Sequence, residues 1–375
     1  MPQGESFWNP YRMVPVRSQV VRKKPVTEER FSGQSGVITC SLKNLTSLFV
    51  GRGSDSSLLS LTFIKRNGRF AIPGSSLKGM LRSVAELVGG GCLVSNSSGK
   101  GDRYPNLDDS YKACGNNRSL CITCRMFGMM GRGRGARVHK GKISIGDALI
   151  TDDDVRTLSF EVLLMNHGTR HNAFYETPTT GKFDLLSRKM YFHQPRMKEE
   201  IPSIPETIRT LMKNDIQTIR AIAPGHEFKF DVSFSNLEPD ELQLLVYTLA
   251  LEEDTKVNLE DGQCPLRGPL RHKIGMAKPL GLGSCQISIE RLSILPPPKT
   301  RFASLKSLES TVYEGESLAR ELAKLTEPLA GDTSPTMQHL RKIMIWDERD
   351  SRNFRYPDWH WFKTPGNASI KLKRI

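Results

Sequence analysis

Apolar and polar positions along the chain repeat with two periods, and together these periods predict an α+β fold. Alternation with a period of two predicts strands over 36–50, 142–149, 158–164, 228–234 and 285–294, with a hairpin turned at Asn67-Gly68. Apolar residues spaced by three and four predict helices over 75–88 and 238–252. In chain order these elements run strand, helix, strands, strand, helix, strand. This is the order of a ferredoxin-like unit.

The first helix begins in a segment with the chemistry of an anion site. Ser75 or Ser76 can cap the first free N–H groups, and a helix N-terminus suits phosphate. Lys78 and Arg82 are four residues apart and project from one face, while the apolar positions turn inward. The same pattern also fits an ordinary capped amphipathic helix that binds no ligand.

Charge favours a polyanionic partner such as a nucleic acid. The chain has 54 Lys and Arg against 40 Asp and Glu, a net charge of +14 and a pI near 9.5. Between Lys100 and Lys142, ten basic residues stand against three acidic ones. No apolar run is long enough for a membrane helix and the N-terminus lacks the order of a signal peptide, so we predict a cytoplasmic protein with no membrane partner.

Three cysteines with metal-ligand spacing lie in a segment rich in polar residues and glycine. Cys121 and Cys124 form a Cys-x-x-Cys pair, and Cys114 precedes them by a short loop. Cys92 is the nearest candidate for a fourth ligand, with His139 as the alternative. Because such a segment makes a poor core by itself, we predict a structural zinc site. A redox pair, or simple buried thiols, is the other interpretation.

A glycine-rich loop precedes the last predicted strand of the core. Gly281 and Gly283 lack side chains, so another backbone can approach them closely. The loop does not follow a strand–turn–helix arrangement, which excludes a dinucleotide fingerprint. A plain turn is the alternative.

These motifs occur together in one known family. NPYRMVPV, LFVGRGS, AIPGSSLKGMLRSV, a CxxC followed by RMFG, RKMYFHQ and KPLGLGSCQISIE occur in this order from about Asn9 to Leu292. The chain resembles the RAMP superfamily, and more narrowly the backbone subunits of type III CRISPR effector complexes that coat the guide RNA. The cysteines and RKMYFHQ resemble the type III-D and III-E-like branches.

The resemblance implies a ferredoxin-like, RRM-like core with long insertions, which binds guide RNA, target RNA and other effector subunits in antiviral defence. We expect an N-terminal arm over 1–35, the core domain over 36–295 and a C-terminal helical extension over 296–375. The zinc segment covers about 89–128, and a thumb-like insertion that wedges beside the guide–target duplex covers about 165–215. The extension has predicted helices around 313–325 and 337–345, and its aromatic cluster at 355–362 is expected to dock a neighbouring subunit.

Basic and aromatic side chains of these segments are the expected RNA contacts. In the thumb, cations pair with phosphates, and Phe174, Tyr175 and Tyr191 stack on splayed bases. Phe192 is assigned to the core. The predicted RNA-binding residues are Arg52, Ser75, Ser76, Lys78, Arg82, Arg125, Arg132, Arg134, Arg137, Arg170, Tyr175, Arg188, Lys189, Tyr191, Gly281 and Gly283.

Two points about activity stay open at this stage. Family members that cut target RNA use an aspartate in the loop after the first strand, where Asp55 is the acidic residue here, acting with a divalent cation such as magnesium. Asp55 is otherwise a turn residue. One alternative function is a stand-alone endoribonuclease that processes the CRISPR precursor transcript, with His167, His171 or His193 as base. Another is a zinc-containing nucleic-acid-binding module.

Overall fold

The computed structural model describes residues 7–17, 19–27, 29–51, 60–93, 109–131, 136–163, 171–174, 186–201, 203–259, 265–301, 303, 309–357 and 359–373. The strands are β1 Tyr11–Pro15, β2 Arg22–Lys23, β3 Gln34–Asn44, β4 Ser60–Leu61, β5 Lys65–Arg66, β6 Arg69–Ile72, β7 Leu120–Cys121, β8 Met129–Met130, β9 Val138–His139, β10 Ile143–Ile145, β11 Ala148–Ile150, β12 Thr157–Leu163, β13 Ser187–Tyr191, β14 Ile216–Ile222, β15 Glu227–Leu237, β16 Thr255–Val257, β17 Leu266–Gly268, β18 His272–Lys273, β19 Ser284–Ile294 and β20 Thr311–Tyr313. The helices are α1 Gly74–Val88, α2 Ile122–Phe127, α3 Glu206–Leu211, α4 Pro239–Ala250, α5 Pro298–Arg301, α6 Gly315–Ala330, α7 Pro335–Met344 and α8 Trp359–Lys363.

The largest sheet has β3 at its centre, between β19 and β15, and these neighbours are antiparallel. β10 and β11 lie in succession along the other side of β15, while β18 and β20 pair with β19. β6 and β5 continue the sheet beyond β11. The order across the centre is therefore β19, β3, β15 and then the two short strands β10 and β11.

One face of this sheet is buried and the other is polar. On β15 the phenylalanines and Val232 are buried, whereas Lys229, Asp231 and Ser233 between them are exposed. This alternation places one apolar face against α1 and α4, which also contact each other. The α+β class agrees with the prediction from the sequence.

The sequence located most of these elements closely, with one interruption. The hairpin between β5 and β6 turns at Asn67 and Gly68, both with positive φ, as a tight two-residue loop requires. The strand expected over 142–149 is divided into β10 and β11 by Gly146 and Asp147. This division has a function in the fold, because Asp147 turns toward the start of α1.

The two terminal regions pack on the rest of the chain. β1 pairs with β13 of the long insertion between β12 and β14, and Tyr11 lies opposite Tyr191. In the C-terminal extension, α6 packs on α4, α7 contacts β1 and α1, and β20 pairs with β19. Trp361 of the aromatic cluster is buried with Phe7, which corrects the expectation that this cluster docks a neighbouring subunit through that side chain. Among the described residues, none of the helices combines the length and the apolar character needed to cross a bilayer.

Candidate metal centre and RNA interface

Four buried cysteines come together where α1 ends and α2 begins. The Sγ atoms of Cys92, Cys114, Cys121 and Cys124 all lie within 4.8 Å of one another, and Cys92 and Cys124 are 3.5 Å apart at sulfur. A tetrahedral zinc with Zn–S bonds of about 2.3 Å separates its sulfur ligands by about 3.8 Å. The four side chains therefore fit a closed metal site of the kind that zinc occupies.

Hydrogen-bond donors surround the sulfurs of this group. The Cys121 backbone N–H donates to Cys114 Sγ at 3.4 Å, and Arg22 Nε donates to the same sulfur at 3.4 Å. Arg82 Nη2 lies 3.6 Å from Cys124 Sγ. Hydrogen bonds with Cys114 and Cys124 lower the pKa of the Cys121 thiol, whereas hydrogen bonds with Cys114 and Cys121 raise the pKa of Cys92 and of Cys124. The backbone N–H of Cys121 and the guanidinium N–H groups of Arg22 and Arg82 favour the thiolate form of the sulfurs they contact, which is the form that binds a metal ion.

His139, the alternative fourth ligand, has a different contact. Its Nε2 lies 3.1 Å from the backbone carbonyl oxygen of Arg125, which can only accept, so this nitrogen carries the proton. The histidine does not belong to the group of four sulfurs, which is complete without it. The geometry thus favours Cys92 over His139.

The N-terminus of α1 is capped differently from the prediction. The helix begins at Gly74, and neither Ser75 nor Ser76 caps it with its side chain. The Asp147 carboxylate accepts a hydrogen bond from the Gly74 N–H at 2.8 Å and also pairs with Arg66. The bond from Gly74 is the largest cause that lowers the pKa of Asp147. A carboxylate of this chain therefore accepts from the helix start, for which the sequence predicts a serine cap and a phosphate.

Two of the predicted RNA-binding cations meet at a buried carboxylate. Glu86 of α1 pairs with Arg82 at 2.9 Å and also with Arg188 of β13. Arg82 Nη1 also donates to the carbonyl oxygen of Gly128, at 3.1 Å. Arg82 therefore links α1, the cysteine group and the base of the insertion. It keeps about a quarter of its side chain exposed, at 25%.

Lys78 lies on the same face of α1, one turn before Arg82. Its Nζ donates to the carbonyl oxygen of Ile143 at 2.8 Å. Burial, and then the charge of Arg82, lower the pKa of Lys78. Lys78 is half-buried and its ammonium group has further donors, so it remains able to contact an anion.

Lys189 and Tyr191 of the insertion lie together, next to the N-terminal arm. Lys189 Nζ is 3.8 Å from the centroid of the Tyr11 ring and 5.1 Å from that of Tyr191. Burial lowers the pKa of Lys189 to about 8. The pairing of β1 with β13 brings these side chains together, and it joins residues that are far apart in the sequence.

Three other predicted RNA contacts have different surroundings from those of Lys189 and Tyr191. Arg125 is 1% exposed, and its Nε lies 2.7 Å from the Glu241 carboxylate, so its charge is neutralised inside the fold. Arg137 is exposed and lies 3.4 Å from the Asn117 side-chain oxygen. Phe174 packs against Trp361 in an internal aromatic cluster.

Gly281 and Gly283 have positive φ angles and approach other parts of the chain. A Cβ at Gly283 would lie 1.8 Å from the Ile274 carbonyl oxygen, and a Cβ at Gly281 would lie 2.9 Å from Met197 Cβ. Both positions therefore require glycine for the fold itself. Several predicted site residues lie outside the described residues: Arg52, Asp55, Arg132, Arg134, His167, Arg170 and Tyr175.

Some residues that shape the site were not identified from the sequence. Glu86 follows Arg82 by four residues, a spacing that signals a helical ion pair. Asp147 and Arg22 have no comparable local signal, because each acts on a segment about 70 to 90 residues away in the sequence.

Comparison with known proteins places these features in a family. No curated protein matches the chain. A family model described as the RAMP superfamily matches residues 41–286, from within β3 to the beginning of β19. This match covers more than half of the chain and includes α1, the four cysteines, β10, β11, β15 and the glycine-rich loop, together with the end of β3 and the start of β19. The protein therefore belongs to the RAMP superfamily, whose members have CRISPR-associated RNA-binding functions.

Proposed function

We propose that this protein is a guide-RNA-binding backbone subunit of a type III CRISPR effector complex, which positions target RNA in antiviral defence. The observation that carries the proposal is the RAMP match over residues 41–286, because it contains α1, β15 and the cysteine group. The order of motifs and the long insertion between β12 and β14 support the narrower assignment to the type III-D or III-E-like branch.

The core of the subunit is, in this proposal, ferredoxin-like. β3, α1, the β10 and β11 pair, β15, α4 and β19 follow one another in the chain as strand, helix, strand, strand, helix, strand. Across the sheet they lie in the order β19, β3, β15 and then β10 and β11, with antiparallel neighbours. The exposed face of this sheet is polar, with Lys43, Lys229 and Ser288 among its side chains, so base stacking is assigned to the insertion.

Zinc is the metal that we assign to the four cysteines. Four thiolates in a closed, buried group suit a structural zinc ion and leave no position for a substrate. When bound, the ion would hold the segment after α1 to α2. Arg22 and Arg82 would then orient the sulfurs through their N–H groups.

The proposed RNA interface combines the half-buried cations of α1 with the base of the insertion. Lys78, Arg82, Lys189 and Tyr191 offer charge and a stacking ring, and Arg137 adds an exposed cation near the cysteine segment. Arg125 is left out of this interface because it is buried among carboxylates. We retain Arg52, Arg132, Arg134, Arg170 and Tyr175 as proposed contacts on the strength of the sequence.

The stand-alone endoribonuclease is the less favoured function. Of its candidate bases, His193 lies between the Ser284 hydroxyl and the Arg271 carbonyl, at 2.8 and 2.9 Å. His171 is buried and bonds to the Ile370 carbonyl at 3.2 Å, inside the aromatic cluster. Both histidines are engaged in the fold, which leaves neither in position to take a proton from RNA.

Cutting of target RNA is assigned to Asp55, with magnesium as the divalent cation. In a reconstituted complex we expect Asp55→Ala to abolish the cut beside this subunit while guide and target binding persist, because such a carboxylate acts on the transition state. Cleavage should stop when magnesium is removed. An unchanged cleavage pattern in the variant would show that Asp55 only shapes its loop.

Purification from the native source tests the main assignment. A backbone subunit should be isolated with partner proteins and a discrete small RNA of guide length, whereas a processing enzyme or an isolated nucleic-acid module should be recovered alone. Recovery of the protein without RNA, from cells that express CRISPR guides, would contradict the proposal.

A further inference from the structure

The N-terminal arm crosses the cysteine group, and its middle forms part of the wall around the sulfurs. Val20 is 7% exposed and is buried in one cluster with the four cysteines. Two residues later β2 pairs with β7, so that Arg22 lies opposite Cys121. All four cysteines lie within the RAMP match over residues 41–286, whereas the arm precedes it. The candidate metal centre is therefore enclosed by a segment from outside the matched core.

Arg22 brings a positive charge to this group. Its Nε donates to Cys114 Sγ at 3.4 Å, and its Nη2 donates to the Lys112 carbonyl oxygen at 2.7 Å. Arg82, the other guanidinium beside the sulfurs, is already paired with Glu86. Among the described residues Arg22 forms no ion pair with a carboxylate, so the sulfurs are the partners of its charge.

The charge of a closed centre of four thiolates explains why this cation matters. Four thiolates around one divalent ion carry a net charge of about −2, and burial makes an uncompensated charge costly. Docking of the arm places Arg22 against this charge, and release of the arm would remove that partner. Without the ion, the sulfurs lose the ligation that fixes the arrangement contacted by Val20 and Arg22.

The arm is anchored on both sides of this contact. Before it, Arg17 Nε donates to the Val88 carbonyl oxygen at the end of α1, at 2.7 Å, and the same guanidinium pairs with Asp332 between α6 and α7. After it, Asn236 Nδ2 donates to the Thr27 carbonyl oxygen at 3.0 Å. β1, which precedes this stretch, pairs with β13 of the insertion. A change in the docking of the arm would therefore reach the insertion as well.

We propose that zinc binding by the four cysteines and docking of arm residues 16–24 are coupled, with Arg22 as the positioning residue that links them. This inference rests on the zinc assignment of the proposed function and does not depend on RNA binding. By linkage, the factor by which docking of the arm strengthens zinc binding equals the factor by which zinc strengthens docking. The metal centre then also supports the insertion, because β1 and the arm are continuous in the chain.

Hydrogen exchange tests the effect of the metal on the arm. Full-length protein is compared with bound zinc and after removal of zinc by a chelator, and amide exchange is read by mass spectrometry. We expect the amides of residues 16–24 to exchange on the order of tenfold faster after chelation, because the arm opens more often. The amides of β3, at the centre of the largest sheet, should keep their protection, which distinguishes release of the arm from global unfolding.

Competition with a colorimetric zinc chelator tests the reverse effect in matched variants. Arg22→Gln should raise the zinc dissociation constant about 10- to 100-fold, because it removes a donor to a ligand sulfur. Arg17→Gln removes the contacts with Val88 and Asp332, which involve no sulfur, and should raise the constant about fivefold or more. Lys24→Gln removes the same charge from an exposed position of the arm and should leave the constant unchanged.

The outcomes separate the coupling from the proposals around it. Wild-type protein that binds no zinc would overturn the metal assignment and the coupling together. Zinc-binding protein in which chelation leaves the arm protected, or loosens β3 to the same extent, would overturn the coupling alone. An Arg17→Gln variant with the wild-type dissociation constant would also overturn it, because Arg22 would then act only as a local hydrogen bond. Absence of RNA in the native-source purification would contradict the proposed RNA-binding function and would leave the coupling intact.

Discussion

At the scale of single residues, buried polar groups explain more of this structure than exposed ones do. His193 is enclosed between Ser284 and Arg271, and the Arg271 carbonyl oxygen can only accept. His193 Nε2 therefore carries the proton and the Ser284 hydroxyl donates to Nδ1, which describes a neutral imidazole. Burial lowers the pKa of His193 to about 3, and burial likewise lowers that of His272 to about 4. Both histidines are fully enclosed, so their protonation is tied to unfolding.

This enclosure predicts a loss of stability in mild acid. The folded-state pKa values lie below the usual 6.5, so the unfolded chain binds more protons as pH falls below that value. The stabilising contribution is complete above pH 6.5 and is lost as pH falls toward the folded values. Between pH 6.5 and about 5 we expect the free energy of unfolding to drop with a slope that approaches about 1.4 kcal/mol per pH unit for each histidine.

Urea unfolding at a series of pH values measures this slope. For His193→Gln, the slope of the free energy of unfolding against pH should be smaller by up to about 1.4 kcal/mol per pH unit, the contribution of one histidine. His339→Gln, on the surface of α7, should keep the wild-type slope. A wild-type curve that is flat from pH 6.5 to about 5 would contradict the assignment of neutral buried histidines.

Lys78 and Arg82 are expected to behave differently, although both project from α1. Lys78→Ala should weaken RNA binding and change the free energy of unfolding little, because it removes one bond to a backbone carbonyl. Arg82→Ala should also destabilise the fold, by about 1–3 kcal/mol, because it removes one of the two partners of the buried Glu86 carboxylate. Urea unfolding and RNA titration of the two single variants separate these effects. Equal stability of both variants would show that the Arg82–Glu86 pair does not stabilise the fold.

At the scale of elements, the periodicity of the sequence predicted the strands and helices well. It could not predict the side-chain contacts between elements that are distant in the chain. Most core strands and both core helices begin and end within a few residues of the expected positions. The sequence predicts a serine cap at the start of α1, whereas the Asp147 carboxylate, 73 residues later, accepts a hydrogen bond from the Gly74 N–H. A local pattern contains no information about such a partner. The Cys-x-x-Cys pair and Cys114 before it predicted three of the four clustered sulfurs, and Cys92 was predicted from its proximity in the chain.

The cysteine segment should lose its organisation when its metal is removed. We expect about one zinc ion per chain, measured by elemental analysis of protein prepared without chelator. Cys92→Ser should lower the zinc content, while His139→Ala should leave it unchanged, since the four sulfurs form a complete set. Chelation should make the chain around α2 more sensitive to protease, because the metal would replace a core there.

Two results would contradict this view of the segment. Protein without any zinc would remove the metal assignment, and the cysteines would then be buried thiols. Zinc that is retained in Cys92→Ser and lost in His139→Ala would restore the histidine as the fourth ligand.

At the scale of the whole molecule, the N-terminal arm, the long insertion and the C-terminal extension meet outside the main sheet. Phe7, Phe174 and Trp361 form one aromatic cluster. The ring centroid of Phe7 lies 5.5 Å from that of Phe174 and 5.4 Å from that of Trp361. Ile370 and Leu372 close this cluster. Three segments that the sequence presents as separate additions thus stabilise one another. The orientation of the insertion therefore depends on both terminal regions.

Trp361→Ala measures this dependence, and Phe362→Ala is its matched control. Trp361 is 5% exposed within the cluster, whereas its neighbour Phe362 is 38% exposed. Removing a buried aromatic ring costs about 3–5 kcal/mol, so Trp361→Ala should lower the free energy of unfolding by this order, and Phe362→Ala by no more than about 1 kcal/mol. Urea unfolding of the isolated protein decides between this interpretation and the docking role expected from the sequence. If Trp361 served a neighbouring subunit, its removal would leave the isolated chain as stable as the wild type and would instead abolish assembly.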